Sequence, residues 1–159
     1  MTYNRKIILL CFSLNVLFAN INIAQELNEE KMIENTEEHY TQVADNYLKY
    51  LTEKNLEGIL SLYAENASLE DPVGSEVING KSKIREFYQG AVIMDLELKR
   101  IGPVRIASNE IAFPFQLNME VDGKQTITDI IDVFKFDENG KIIFMRAYWG
   151  PGNRRVVEK

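Results

Sequence analysis

Three segments in the second half of the chain alternate apolar and polar residues, and this alternation limits the possible fold more than any other feature. The segments are "IAFPFQLNMEV", "QTITDIIDVFKF" and "IIFMRAYW", separated by "VDGK" and "DENGK". Successive side chains of a strand point to opposite faces, so the pattern predicts antiparallel strands with one buried face, joined by tight turns. Pro114 predicts an edge or a bulge in the first strand, because proline cannot donate to the ladder.

Counting by two along each segment assigns its buried face. The first segment is expected to turn inward Ile111, Phe113, Phe115, Leu117, Met119 and Val121. The last segment is expected to turn inward Ile143, Met145, Ala147 and Trp149. Both faces are wholly apolar, which is typical of a sheet that covers a hydrophobic core.

One carboxylate interrupts the apolar face of the middle segment. Asp132 falls on the same side as Ile130, Phe134 and Phe136. Burial disfavours the ionised form of a carboxyl group, so its pKa should rise and the neutral acid could donate a hydrogen bond. A twisted or bulged strand would instead let Asp132 reach water, and alternation alone leaves both interpretations open.

Three helices are predicted before these strands. The first begins at Asn35, an N-cap with Glu38 three residues later, and ends near Glu53. Its apolar residues recur at helical spacing: Tyr40, Val43, Ala44, Tyr47, Leu48 and Leu51. The second helix starts at Asn55 and is expected to turn inward Leu56, Ile59, Leu60 and Tyr63. The third, from about Lys81 to Val92, is expected to turn inward Ile84, Phe87, Tyr88 and Ala91.

Helices followed by strands predict an α+β fold, with the helices packed on one side of a curved antiparallel sheet. A chain of 159 residues is long enough for about one domain, which we place at residues 35–159. Residues 1–24 read as a secretory signal, with Arg5 and Lys6 before an apolar run and cleavage after Ala24. Residues 25–34 form an acidic leader. The mature protein is therefore expected to be secreted or periplasmic, without a stable membrane span.

Charge and residue counts exclude several classes of function. The net charge of −6 becomes more negative once a signal with two cations is removed, and nucleic-acid binding needs clustered cations. Cys11, the one cysteine, lies in the signal, so no disulfide or thiol nucleophile is expected in the mature protein. His39 is the one histidine, near the start of the first helix, so a histidine metal site is not expected.

The stretch "SLEDPVGSEV" places three carboxylates around a turn: Glu70, Asp71 and Glu76. By default, an aspartate before proline is a turn residue, and Glu70 and Glu76 are solvated. Tyr47, in the middle of the first helix stripe, is by default a core residue. Local chemistry alone assigns neither Asp71 nor Tyr47 a catalytic role.

Two longer stretches closely resemble the ketosteroid isomerases, within the nuclear-transport-factor-like and SnoaL-like superfamily. They are "LEGILSLYAENASLEDPVGSEVINGKSKIREFYQGAV" and "IIDVFKFDENGKIIFMRAYWG", and the resemblance runs from about His39 to Gly150. It implies three helices packed on a strongly curved, mostly antiparallel sheet that forms a cone with an apolar pocket. It also implies a homodimer that needs no cofactor and no metal.

The resemblance implies three catalytic residues. Asp71 corresponds to the base of the "DPVG" turn, Tyr47 to the oxyanion-hole tyrosine of the first helix, and Asp132 to the protonated oxyanion-hole aspartate. Ketosteroid isomerases are themselves the standard example of a carboxylic acid kept neutral by an apolar site. The position of Asp132 on an inward face, by contrast, follows from strand alternation alone.

The remaining site residues are expected to bind substrate. Tyr63 and Tyr88 resemble the family's tyrosines that hydrogen-bond around the first-helix tyrosine. A purely structural role, as aromatic core residues on helix faces, would explain them nearly as well. The strand residues that would line an apolar slot, or simply fill the core, are Phe115, Leu117, Met119, Met145 and Trp149.

The implied reaction is isomerisation of 3-oxo-Δ5-steroids to conjugated 3-oxo-Δ4-steroids by intramolecular proton transfer through a dienolate. The partner is then a steroid or another small apolar ketone. Two alternatives stay open: an enzyme on the same scaffold that acts on a different enolisable apolar ketone, and a non-catalytic module that binds small molecules.

Overall fold

The computed structural model describes residues 25, 29, 32 and 36–157. The predicted signal (residues 1–24), most of the acidic leader and the predicted N-cap Asn35 lie outside the described residues. The chain divides into two compact units, residues 1–38 and residues 39–159. In the first unit the described residues are helical and exposed. Among the residues described, no helix combines the length and the apolar character that crossing a membrane requires.

Three helices contribute apolar faces, and the first matches its predicted stripe. They are α1 (residues 36–52), α2 (Leu56–Ser61) and α3 (Lys81–Ala91). All six predicted stripe residues of α1 are buried: Tyr40, Val43, Ala44, Tyr47, Leu48 and Leu51. The Asn55 side chain accepts a hydrogen bond from the Gly58 backbone N–H and so caps the short α2.

The prediction that the second helix includes Tyr63 is wrong. Helix α2 ends at Ser61, and Tyr63 is the first residue of a strand, β1 (Tyr63–Glu70). Ala67 and Leu69 are buried at alternate positions of β1, which is a strand spacing and not a helical one. β1 and the short β2 (Ile78–Asn79) therefore lie between the second and third helices.

The remaining strands build one open, mixed sheet. They are β3 (Glu97–Arg100), β4 (Arg105–Ala107), β5 (Glu110–Val121), β6 (Lys124–Phe136), β7 (Ile142–Tyr148) and β8 (Arg154–Val156). The order is β2-β1-β7-β6-β5-β3, with β4 also on β5 and β8 also on β6. The β1–β7 pair is parallel and the other described pairs are antiparallel, which agrees with the predicted α+β fold and mostly antiparallel sheet.

The long β5–β6 hairpin keeps an unbroken register from Glu110↔Lys135 to Val121↔Lys124. Pro114 lies where the neighbouring chain leaves β3 and has not yet entered β4, so its missing N–H breaks no ladder bond there. Its carbonyl still accepts a hydrogen bond from the Ile101 N–H, at 3.0 Å. The edge predicted at Pro114 is therefore local: it is the short gap between β3 and β4, both of which pair with β5.

The expectation that Ile143 turns inward is wrong. The β6–β7 register shifts between Lys135 and Phe136, whose partners are Phe144 and Ile142. A one-residue bulge reverses the faces of the residues before it, because side chains alternate with a period of two. Ile142 is consequently the fully buried residue, while Met145 and Ala147 keep their predicted inward positions.

Helix α1 packs on the inner face of β6. The Tyr40 ring stacks on Phe136, with ring centres 4.1 Å apart, and the Tyr47 ring meets Phe134 edge-on at 5.1 Å. Aromatic pairs in these two arrangements are favourable beyond the area that they bury. They hold Tyr47 beside the strand that contains Asp132.

Candidate active site

An apolar cavity of about 290 Å³ opens between helices α1 and α3 and the inner face of the sheet. Its volume lies just below the range for small-molecule sites, which starts at about 300 Å³. Its walls are mostly apolar side chains, and few polar groups face it. Three of those are the predicted catalytic side chains: Tyr47 from α1, Asp71 after β1 and Asp132 from β6. The fold therefore brings together three residues that lie far apart in the sequence.

Asp132 is buried in the wall of the cavity, with a relative exposure of 1%. It lies opposite Phe113 in the continuous β5–β6 register, so the alternative of a local bulge that exposes it is wrong. Neither carboxyl oxygen has a hydrogen-bond partner among the described residues. Burial, and next the negative charge of Asp71, raise the pKa of Asp132 well above its ordinary value, and the nearby Tyr47 hydroxyl, which lies beyond hydrogen-bond distance, offsets this only in part. The group is therefore a neutral acid with a proton available to a ligand.

Three tyrosine hydroxyls form a buried chain that ends at the cavity. The Tyr63 and Tyr88 hydroxyl oxygens lie 2.6 Å apart, and the Tyr88 hydroxyl donates to that of Tyr47 at 3.3 Å. Burial is the main reason why the pKa of each phenol is raised well above its usual value, so all three stay neutral donors. Because Tyr47 accepts from Tyr88, its own proton can point into the cavity.

Asp71 follows the last residue of β1 and has one strong hydrogen-bond donor. The Trp149 indole Nε1 donates to its Oδ1 at 2.6 Å. Burial raises the pKa of Asp71, and the hydrogen bond from Trp149, which favours the ionised form, lowers it in part. The result is a carboxylate more basic than one in water and held at a defined edge of the cavity.

Glu70 is not the solvated residue that its sequence position suggested. Its carboxylate accepts a hydrogen bond from the Gly74 backbone N–H at 2.8 Å and another from Arg146 Nε at 3.0 Å. Together these bonds lower the pKa of Glu70, the Gly74 bond being the larger cause. The Val73 N–H also donates to the Ala147 carbonyl on β7. The turn that contains Asp71 is thus tied to its own strand and to its neighbour, while Glu76 is exposed.

Most of the predicted substrate-binding residues line the cavity, but two do not. Those that line it are Tyr88, Phe115, Leu117, Met119 and Trp149. Tyr63 lies behind Tyr88 and reaches the cavity through it, and Met145 is completely buried in the core. Met145 was predicted from the alternation of side chains along its strand. Alternation indicates which side chains are buried, but it does not distinguish those in the core from those that line a cavity.

Several cavity residues escaped sequence reasoning. Thr128 lies on the inward face of β6 with Asp132, so the same counting could have found it, and Ile130 was placed on that face but not assigned to a binding site. Phe87, on α3, was expected to turn inward but not to face a ligand. Arg154 carried no signal, because its strand has only three residues.

The arrangement has a definite chemical capability. A carboxylate of raised basicity faces an apolar cavity that also contains two neutral donors, the Tyr47 phenol and the Asp132 carboxylic acid. Such a set can remove a proton next to a carbonyl group while the donors stabilise the oxyanion that forms. Within the described part of the chain, no three His, Cys, Asp or Glu side chains gather closely enough to hold a metal ion.

The chain is similar to known proteins over more than half of its length. Residues 44–145 match the SnoaL-like domain family. A protein of Nocardioides simplex, "Steroid Delta-isomerase", is 38% identical over 99 residues, which cover 62% of this chain and 80% of that protein. Among solved structures, the epoxide hydrolase/cyclase-like enzyme SalBIII of pyran ring formation in salinomycin superposes with a TM-score of 0.70. That superposition covers 76% of this chain and 98% of SalBIII, and the 24% identity supports a shared fold alone.

Proposed function

Because the chain belongs to the SnoaL-like family and, within it, to the ketosteroid isomerases, we propose that it converts 3-oxo-Δ5-steroids into conjugated 3-oxo-Δ4-steroids. The relative from Nocardioides simplex is a steroid Delta-isomerase, which supports the substrate class. The apolar cavity suits a polycyclic ketone better than a polar metabolite.

A single observation carries the proposal: a buried, neutral carboxylic acid without a hydrogen-bond partner among the described residues faces the same cavity as a separate, more accessible carboxylate. A buried polar group without a partner costs free energy, and a core has no use for it. A ligand carbonyl oxygen bound between Asp132 and Tyr47 would supply the missing partner.

The reaction follows from these positions. The Asp71 carboxylate removes a proton from the carbon between the carbonyl group and the Δ5 double bond, and the electron pair moves into a dienolate. Its oxygen accepts hydrogen bonds from Tyr47 and Asp132, which stay neutral donors. The carboxylic acid form of Asp71 then returns the proton at the far end of the dienolate, so the conjugated enone forms and the base is regenerated.

The test is direct. The purified protein is mixed with a neutral 3-oxo-Δ5-steroid, and the ultraviolet absorbance of the conjugated enone is followed over time. We expect enone to form far faster than in buffer alone. Formation at the buffer rate, under conditions in which the protein is folded, would contradict the proposed reaction.

The hydrogen bond from Trp149 to Asp71 should set the pH dependence of turnover. Asp71 must be ionised to act as a base, so kcat/KM should fall as the pH drops through its pKa. The substitution Trp149→Phe removes a donor that lowers this pKa, so the acidic limb of the profile should move to higher pH. The control is Tyr148→Phe, on the neighbouring exposed residue, which should leave the limb in place. An unchanged limb in Trp149→Phe would mean that another group controls the profile.

We also propose that the protein is a homodimer, formed through the outer face of the sheet. An exposed apolar row crosses four neighbouring segments there: Ile101 bonds to Pro114, Pro114 pairs with Ile131, and Ile131 pairs with Tyr148. Ile101, just after β3, Ile131, within β6, and Tyr148, the last residue of β7, are 50%, 47% and 43% exposed. Contiguous apolar surface of this kind is typical of an interface between proteins.

The substitution Ile131→Lys tests the dimer. A lysine at the centre of the row would place an unpaired cation in the interface, so the variant should be monomeric at micromolar concentration where the unmodified protein is dimeric. Light scattering after size exclusion gives the mass directly. Ile93→Lys, at another exposed isoleucine, is the matched control and should stay dimeric. An unmodified protein with the mass of one chain would contradict the proposal.

We further propose that the enzyme acts in the periplasm or outside the cell, because a secretory signal is predicted. From the proposed reaction, we infer that it belongs to steroid, and hence lipid, metabolism. Arg5 and Lys6 followed by an apolar run support the signal. N-terminal sequencing of the exported protein should start at Gln25. Retention of Met1 would overturn this location.

A further inference from the structure

A single arginine stands at the rim of the cavity. Arg154, the first residue of β8, donates from Nε to the Thr128 hydroxyl at 3.2 Å. Its guanidinium lies over the Trp149 ring, 5.6 Å from the ring centre, which fixes the direction of the charge. Among the described residues that line the cavity, Arg154 is the one cation.

This arginine differs from its neighbours in what it pairs with. Side chains alternate along β8, and the next residue, Arg155, forms an ion pair with Asp129 at 2.5 Å. Arg100 and Arg146 form comparable ion pairs with Asp45 and Glu70, respectively. Within the described part of the chain, Arg154 has no carboxylate within ion-pair distance. Its charge is therefore available to a ligand.

The position of Arg154 along the cavity is set by β6. Thr128, Ile130 and Asp132 occupy alternate positions on the inward face of this strand. Four residues of extended chain from Asp132 to Thr128 span roughly 13 Å. Arg154 bonds to Thr128 and lies over Trp149, so its guanidinium is held beside the Thr128 end of this row and not beside Asp132. A flat, elongated ketone with its carbonyl oxygen at Asp132 would point its other end at Arg154.

The geometry points to Arg154 and Thr128 as a recognition site for an anionic oxygen group, a carboxylate or a sulfate, on the end of the substrate remote from the ketone. This inference rests on the proposed function and names the class of steroid that the site prefers. A guanidinium binds such groups through charge-assisted, often paired hydrogen bonds, and the Thr128 hydroxyl has a proton left to donate.

General electrostatics cannot provide this preference. The chain has a net charge of −6, and the Asp71 carboxylate of the cavity disfavours anions further. An anionic steroid therefore gains only from a cation close to its charged end. Because Arg154 is exposed, salt should weaken that gain.

Binding can be measured without turnover. Trp149 is the one tryptophan in the sequence and lies beneath the Arg154 guanidinium, so its fluorescence reports ligands at this end of the cavity. The full-length protein is titrated with three 3-oxo-Δ4-steroids that differ at C17: an uncharged group, a side chain ending in a carboxylate, and a sulfate ester. We expect at least one anionic steroid to bind about tenfold more tightly than the neutral one, and the tighter anion identifies the preferred group.

Variants of the two neighbouring arginines test which residue provides the preference for anionic steroids. Arg154→Gln should lower the ratio of anionic to neutral affinity about tenfold, and Arg154→Lys should restore part of it, because the charge returns without the planar fork. Arg155→Gln makes the same charge change one residue away, on the side of the strand paired with Asp129, and should leave the ratio unchanged. Added salt should lower the ratio in the proteins that keep a cation at position 154, and should leave it unchanged in Arg154→Gln.

The outcomes separate this inference from the proposed function. Equal affinity for charged and neutral steroids, or an equal loss of preference in Arg154→Gln and Arg155→Gln, overturns the anion site even if the neutral Δ5 steroid is isomerised. A preference lost only in Arg154→Gln supports the anion site, and the absence of enone formation alongside it would overturn the isomerase alone.

Discussion

Replacing Asp71 by asparagine is expected to lower kcat for enone formation by about a hundredfold to ten-thousandfold, the range that a positioned general base contributes. The amide has nearly the same shape as the carboxylate but cannot accept a proton, so the cavity should keep its form. Trp149 Nε1 can still donate to the amide oxygen at the position of Oδ1. The loss should therefore appear in kcat, and the affinity for a 3-oxo-Δ4-steroid should stay close to that of the unmodified protein.

The control for this prediction is Glu76→Gln. Glu76 lies in the same turn region but is exposed, so the same change of chemistry there should leave kcat within about twofold. Near-native turnover in Asp71→Asn would show that another group removes the proton. Unchanged steroid binding with no turnover in either protein would instead favour the module that only binds small molecules.

The substitution Asp132→Ala is expected to lower kcat by about 10²- to 10³-fold, as the loss of one oxyanion-hole donor does in other enzymes. The Asp132 carboxylic acid faces the cavity without another partner among the described residues, so its whole effect should fall on the bound oxyanion. Asp132→Asn keeps a neutral donor at nearly the same place and is the matched control, with a smaller loss. Equal losses in the two variants would mean that the donor itself does not matter.

The same alanine variant should be more stable than the unmodified protein, which separates a functional residue from a structural one. A buried polar group without a partner costs about 1–3 kcal/mol, and alanine removes that cost. Denaturant unfolding with enzyme assays on the same samples measures both effects. A variant that loses stability together with activity would indicate that Asp132 supports the fold.

The gain in stability should grow with pH. The pKa of Asp132 is raised in the folded protein, so the folded state holds its proton more tightly than the unfolded chain does. The contribution of this group to the free energy of unfolding is therefore greatest below its pKa in the unfolded chain, about 4, and is lost as the pH rises toward its pKa in the folded protein. The difference between Asp132→Ala and the unmodified protein should be smaller at pH 4 than at pH 7. An equal difference at both values would mean that the folded pKa is ordinary.

Two of the three catalytic candidates could be placed from local periodicity. Strand counting put Asp132 on an inward face, and helical spacing put Tyr47 in the buried stripe of α1. The structure agrees with both because each depends on the geometry of one element. Periodicity failed at Ile143, where a bulge shifts the register of β7, and at Tyr63, where a strand begins directly after a short helix. Both errors lie where the structure departs from a regular repeat, and counting by that repeat cannot detect the departure.

The sequence by itself determined which side chains each helix and strand turns inward, because repeats of two and 3.6 residues follow from backbone geometry alone. Only the tertiary structure decided what those side chains meet. Trp149 donates to Asp71 across 78 positions of sequence, and Glu70 pairs with Arg146 across 76. Such contacts depend on how distant segments pack, and a local pattern holds no information about that. For the same reason only the pairing of β8 with β6 decides that Arg154 meets Thr128 at the cavity and no carboxylate of the described residues.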